Sequence, residues 1–326
     1  MTTYRALTST RQALLRKDKQ RWLRRVAEDV ESASAAGRPK AVYEALRKVA
    51  VLDELAAAAI PDPNISTDPP TEDEVRRAVL KLKNGKAAGF DGISPELLKE
   101  GGECITAWLQ GLFAAIWEDG NCPEDWKKGV ILPFYKNKGS RQECKNHRGI
   151  ILLSVPAKVF SMVILNRIKE PLVNSQRPEQ SGFTPGRSTA DRILALRLLA
   201  EKRREYRKPL FAAYVDLKAA VDSVHRPSMW KLLRARGLPD KIIRLIQELY
   251  TDTVSCVRVR TNYSDWFELR SGVRQGCVLA PTLVNTAIDH VMTRTVGRGM
   301  CGTTYADHTF TDMDYADDVA LLAEIF

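Results

Sequence analysis

The chain has 326 residues, 44% of them hydrophobic, and its 50 Lys plus Arg outweigh 40 Asp plus Glu to leave a formal charge of +10. That length carries a sizeable core in one large or two smaller domains, and the excess of cations favours a polyanionic partner, nucleic acid above all. Six scattered cysteines without a C-x-x-C pair, and four histidines without finger spacing, argue against structural zinc and a disulfide framework and for reduced intracellular thiols.

In chain order, residues 1–60 read as basic helices, with KDKQRWLRRVAEDVESA the clearest: Trp22, Leu23, Val26 and Val30 recur at helical spacing. The segment 61–70, within IPDPNISTDPP, is a proline-rich linker and the best boundary, so residues 71–326 form the main domain. Thr71-Glu-Asp-Glu74 is a capping box opening a helix that Asn84-Gly85 is expected to close; Ser94-Pro95-Glu96 opens the next, closed by Gly101. GVILPFYK reads as a strand and VPAKVFSMVILNRI as a buried helix. TADRILALRLLAEKRREY follows as an amphipathic helix and LFAAYVDL as a buried strand. PDKIIRLIQELY is helical, VSCVRVRT alternates like a strand, and TLVNTAIDHVMTRTVG is helical again. No segment reaches the about 20 apolar residues of a membrane span; Pro156 and Lys158 break the best candidate, Ile150 to Leu165. The mixture predicts an α+β fold, a helix-backed antiparallel sheet.

The run FTDMDYADDVALL near the end crowds Asp312, Asp314, Asp317 and Asp318 against apolar residues, and such a cluster needs a positive partner. Ala316-Asp317-Asp318 is expected to form a hairpin turn, and Asp216 falls near the carboxyl end of the LFAAYVDL strand, so that three carboxylates converge if the two strand ends lie together. Three converging carboxylates are hard oxygen ligands suited to Mg²⁺, and a pair of such ions about 4 Å apart activates an attacking hydroxyl and stabilises a leaving oxygen on phosphate. An EF-hand does not fit: the central Gly is missing and Ala323 stands at the position of the bidentate Glu. Because neighbouring strand residues face opposite sides, Asp317 and Asp318 are not equivalent ligands, and Asp317 is expected to be the principal one.

The blocks carrying these residues resemble non-LTR retrotransposon (LINE-type) reverse transcriptases. Tyr315-Ala-Asp-Asp318 is similar to their YxDD signature and Val215–Val224 to their first aspartate motif. Leu269–Pro281 resembles GVxQGCxLAP, Asn146–Ile150 with ILLSVPAKVF the finger block, Gln180–Thr189 QxGFRxGRST, and Ala88–Ile93 with SPELLK the opening block. The six blocks run in family order. The resemblance implies right-hand polymerase fingers and partial palm, with an N-terminal helical segment, copying an RNA template from a DNA primer with dNTPs and two Mg²⁺ or Mn²⁺ ions. It implies Asp216, Asp317 and Asp318 as catalytic metal ligands, and Gln275 and Gly276 lining the nucleotide pocket. Arg148 and Lys136 would meet the triphosphate, and Gly186, Arg187 and Ser188 the template backbone. Nucleus or cytoplasm, and no membrane, would be its place of action.

Two departures stand out. Val221 replaces the bulky aromatic that the family sets against the sugar, which predicts weaker rejection of ribonucleotides, and Thr184 stands where an Arg is usual. The chain stops at Phe326, eight residues after Asp318, so a thumbless fragment is expected, holding primer–template loosely and with strong salt dependence. The rival expectation is an inactive remnant that only binds nucleic acid; an RNA-dependent RNA polymerase is disfavoured by GVRQGCVLAP.

Overall fold

A computed structural model describes residues 60–217, 220–296, 302–305 and 308–324. The basic helices expected before residue 60, Lys218 of the KAAVDS run and Cys301 lie outside the described residues. Capping chemistry sets the first elements. Thr71 accepts the Glu74 N–H at 3.3 Å while the Glu74 carboxylate accepts the Thr71 N–H at 2.9 Å, which opens α1 (Glu72–Leu80). The helix ends short of Asn84-Gly85, because the Lys81 and Leu82 N–H groups fold back onto Arg77 and Val79, and Gly85 instead donates to Glu96 in the following loop. Ser94 caps α2 (Pro95–Glu100), and Gly101 ends it as expected before α3 (Gly102–Asp119) and α4 (Glu124–Lys127). Then come β1 (Lys128–Tyr135), β2 (His147–Leu152), α5 (Val155–Asn174), α6 (Thr189–Glu205), β3 (Phe211–Asp216) and the one-turn α7 (Ala220–Ser223). The remainder is α8 (Arg226–Ala235), α9 (Asp240–Glu248), β4 (Val254–Val259), β5 (Asn262–Tyr263), β6 (Phe267–Glu268), α10 (Ala280–Val296), β7 (Thr303–Tyr305), β8 (His308–Phe310), β9 (Asp312–Tyr315) and β10 (Asp318–Ala323).

The first sheet has the order β2-β1-β4-β5, with β6 also on β4. It is mixed rather than antiparallel: β1 and β2 are antiparallel neighbours, but β4 joins β1 in parallel, Val130 opposite Cys256. The long helical excursion between them carries the chain back to the start of β1, which is what a parallel partner requires. The second sheet has the order β3-β10-β9. Its central strand β10 is covered on both faces: Val319 joins the main core, while Ala320 and Leu322 join Leu199 of α6 and Met313. A strand buried on both sides carries a continuous apolar run, which explains Val319-Ala-Leu-Leu322.

Two expectations about burial change. β3 is exposed along its length, with Tyr214 73% exposed, because it is an edge strand paired, among the described residues, with β10 alone. α6 forms where expected, yet Ile193, Leu194 and Leu198 face outward and only Leu199 and Arg203 are buried. Its apolar residues spread around the axis instead of forming one stripe.

The main core is built on α5, whose Phe160, Val163, Ile164 and Ile168 are fully buried. Phe160 meets Phe113 and Trp117 edge-on at 5.2 and 5.7 Å and Trp126 at 5.6 Å. The proline-rich segment is packed onto this core: Ile65 is buried, Trp117 Nε1–H donates to the Thr67 carbonyl, and Arg167 donates to the Ser66 and Asp68 carbonyls and to Glu74. No helix among the described residues is long and apolar enough to cross a membrane.

Candidate active site

The β9–β10 hairpin turns at Ala316-Asp317, as expected, but Asp318 is already the first residue of β10. There it pairs with Tyr315 on one side and with Asp216, the last residue of β3, on the other. Asp317 precedes it in the turn. Residues directly opposite in an antiparallel pair project to the same side, so the Asp216 and Asp318 carboxylates share one side of the sheet end. All three acids are exposed, and none of their carboxylates makes a hydrogen bond or ion pair among the described residues. Among those residues no group of three or more ligand-type side chains is gathered tightly enough to cage a metal. The acids thus line an open, exposed sheet end and are not gathered into a closed cage.

Asp312 and Asp314 have a different partner. They alternate along β9, so both point to one face, and both are buried there. Arg177 holds them: Nη1 reaches the two Asp312 oxygens at 3.1 and 2.9 Å, Nη2 reaches Asp314 at 2.8 Å, and Nε reaches Asp289 of α10 at 3.2 Å. Arg236 closes the group on the other Asp289 oxygen at 2.7 Å. Two guanidinium groups thus face three carboxylates. Burial and the neighbouring Asp312 push the Asp314 carboxyl up to about 8, against the pull of Arg177. The positive partner that the crowded acids demanded is thus, for two of them, an arginine and not a metal.

The segment after β3 docks on the segment before α10. Val273 N–H donates to the Val221 carbonyl at 2.8 Å, Gly272 N–H to the Val224 carbonyl at 2.9 Å, and Gln275 Nε2 to the Asp222 carboxylate at 3.1 and 3.3 Å. Arg274 anchors this segment to α4, the end of α9 and the start of β1 through the carbonyls of Trp126, Leu249 and Lys128. Gly276 has φ 90°, and a Cβ there would lie 2.8 Å from the Ile151 carbonyl oxygen of β2, so only glycine fits this close approach. Val221, Gln275 and Gly276 are thereby brought into one neighbourhood between the two sheets.

The family model for "Reverse transcriptase (RNA-dependent DNA polymerase)" matches residues 135–325. The chain belongs to the reverse transcriptase family. Curated relatives agree on the branch. The type-1 R2 retrotransposable element Pol polyprotein of Nasonia vitripennis is 28% identical over 258 residues, 78% of this chain and 24% of its own length. The polymerase of the mobile element jockey from Drosophila melanogaster is 25% identical over 260 residues (78% and 27%), and the uncharacterised 149 kDa protein of transposon TX1 from Xenopus laevis 25% over 258 (78% and 20%). The chain is thus a reverse transcriptase domain related to non-LTR retrotransposon polymerases, and it spans about a quarter of the length of the relatives it matches.

The other residues expected to act in this reverse transcriptase domain make no hydrogen bond or ion pair to the three acids among the described residues. Arg148 sits exposed on β2 opposite Phe134 and makes no hydrogen bond or ion pair among the described residues. Lys136 lies just past β1, its N–H donated to the Asn146 carbonyl at 2.8 Å. Both are on the outer end of the first sheet, roughly 10 Å along β2 from Ile151 for Arg148. Gly186, in the left-handed region at φ 73°, and Arg187 form the loop before α6, and the Ser188 side chain is engaged as the cap of that helix, accepting from Asp191 N–H. Sequence reading missed Arg177, Asp289 and Arg274 altogether. The one available signal was the pair of acids at spacing two on a strand followed by buried residues, which requires a buried cation from elsewhere.

Proposed function

We propose that this chain is the RNA-directed DNA polymerase domain of a non-LTR retrotransposon, extending a primer on an RNA template by nucleotidyl transfer at Asp216, Asp317 and Asp318. The observation that carries the reading is the register that sets Asp216 opposite Asp318 with Asp317 in the adjoining turn, all exposed and uncompensated. In this reading the three carboxylates hold Mg²⁺ or Mn²⁺, which when bound supply charge neutralisation and activation of the primer hydroxyl. The chain's own contribution is placement. The strand pair fixes two carboxylates, the tight turn presents the third, and the Val221–Gln275 segment offers the wall against which the incoming dNTP lies. Arg148 and Lys136 supply cations for the triphosphate, and Gly186, Arg187 and Ser188 grip template backbone. Residues 71–326 are the fingers and part of the palm, and the 61–70 segment packs onto them through Ile65 and the Thr67 carbonyl. The place of action is the nucleus or cytoplasm, with nucleic acid and not a membrane as partner.

Primer extension on poly(rA)/oligo(dT) with Mg²⁺, beside Asp317→Asn, tests it. Extension by the wild type alone supports the polymerase. Template binding without extension by either protein leaves a nucleic-acid-binding remnant.

A further inference from the structure

Gln180 belongs to the QSGF run, far from the acids in sequence, yet its side chain ends on the catalytic turn. Its Oε1 accepts the Ala316 N–H at 2.8 Å and the Gly182 N–H at 2.8 Å, while its Nε2 donates to the Ala316 carbonyl at 3.1 Å. One amide therefore brackets both polar groups of the residue immediately before Asp317. Gln180 is 2% exposed, so water does not substitute for these bonds. Ala316 has φ 57°, a left-handed conformation that a residue with a Cβ adopts only when its surroundings enforce it.

The strap carrying Gln180 is itself fixed. It runs along β9, with Asp314 N–H donating to the Glu179 carbonyl at 3.1 Å and Ser181 N–H to the Asp314 carbonyl at 3.0 Å. Gly182 lies so close that a Cβ would come within 2.1 Å of the Ala316 nitrogen, and Asn285 of α10 donates to the Gly182 carbonyl. At its start the strap is held by Arg177. Turning the Gln180 amide over would oppose donor to donor and acceptor to acceptor, so its orientation and that of the Ala316 peptide are locked together.

We infer that Gln180 is a positioning residue of the polymerase, holding the Ala316–Asp317 turn in the left-handed form that aims Asp317 at the reacting phosphate. The inference rests on the proposed polymerase site. It touches no substrate and acts through the turn.

The test uses the whole chain with Gln180→Met and Gln180→Glu. In Gln180→Met, hydrogen exchange at the Ala316 and Asp317 amides accelerates, and the single-nucleotide incorporation rate falls about 100-fold, the order of loss that a misplacement of about 1 Å brings. The dNTP KM and the primer–template Kd stay within about 2-fold, since Gln180 contributes to neither. Gln180→Glu regains rate toward acidic pH, because a neutral carboxyl again offers both a donor and an acceptor and burial favours that form. Unchanged exchange at the turn overturns the inference, as does a rate loss matched by equal losses in binding and melting temperature. A wild-type chain that incorporates nothing refutes the polymerase reading instead, and turn exchange then decides the role of Gln180 by itself.

Discussion

Asp216 and Asp318 face each other across adjacent antiparallel strands, with no cation among the described residues to separate them. Like charges directly opposite are destabilising, and at the proposed site a bound divalent ion would relieve that repulsion. Mg²⁺ should therefore raise the melting temperature of the wild type. Asp318→Asn should melt about 1–3 °C higher than wild type without metal and lose most of the Mg²⁺ response. Scanning calorimetry with and without Mg²⁺ checks both. An equal Mg²⁺ response in the variant would place the ion elsewhere.

Arg177 is the most consequential single residue for stability. Arg177→Met leaves Asp312 and Asp314 buried without their cation and Asp289 with Arg236 alone, and removing one partner from such a cluster costs about 3–5 kcal/mol. Urea unfolding should report that loss. A change under about 1 kcal/mol would mean the cluster is hydrated and weak.

The same cluster sets a pH dependence. The Asp314 carboxyl rises from its ordinary 3.8 to about 8 on folding, so the folded protein keeps a proton that the unfolded chain releases. That contribution is complete below about pH 4 and is lost as pH climbs through about 8. Wild-type stability should fall between about pH 5 and about pH 9, and Asp314→Asn, neutral throughout, should fall less. Parallel unfolding curves for the two proteins at both pH values would contradict this.

Val221 is half-buried, with its carbonyl tied to Val273, so its backbone is fixed while its side chain is small. Val221→Phe should improve discrimination against ribonucleotides by at least about 10-fold, since filling a pocket or emptying it by a few methylenes is worth about 1–3 kcal/mol. Incorporation ratios for dNTP and rNTP, measured side by side, give the answer, and equal ratios would remove Val221 from the sugar site.

The hairpin and its acids were legible in the sequence because the signals are local: β-compatible residues on either side of a short polar turn. Helix starts at Thr71 and Ser94 were legible for the same reason, each being a capping side chain. What escaped was long-range. Arg177 and Asp312 are 135 residues apart, and nothing near either one announces the pairing. The apolar run of β3 reads alike for a buried and an edge strand, and only the sheet order distinguishes them. The parallel β1–β4 pairing depends on a crossover and not on either strand's own pattern. Gln180 was visible within its block, but its contact with Ala316, 136 residues away, was not.

The central claim is that Asp216, Asp317 and Asp318 form a polymerase centre. Single-turnover incorporation of one dNTP onto a DNA primer on an RNA template, with Mg²⁺, tests it most directly when run for wild type, Asp216→Asn and Asp317→Asn beside primer–template binding by anisotropy. Incorporation by wild type, with at least a 100-fold loss in each variant and unchanged binding, is the predicted result, a loss of at least about 2.7 kcal/mol in transition-state stabilisation. Incorporation that survives in either variant, or fails in wild type while binding persists, would contradict the account.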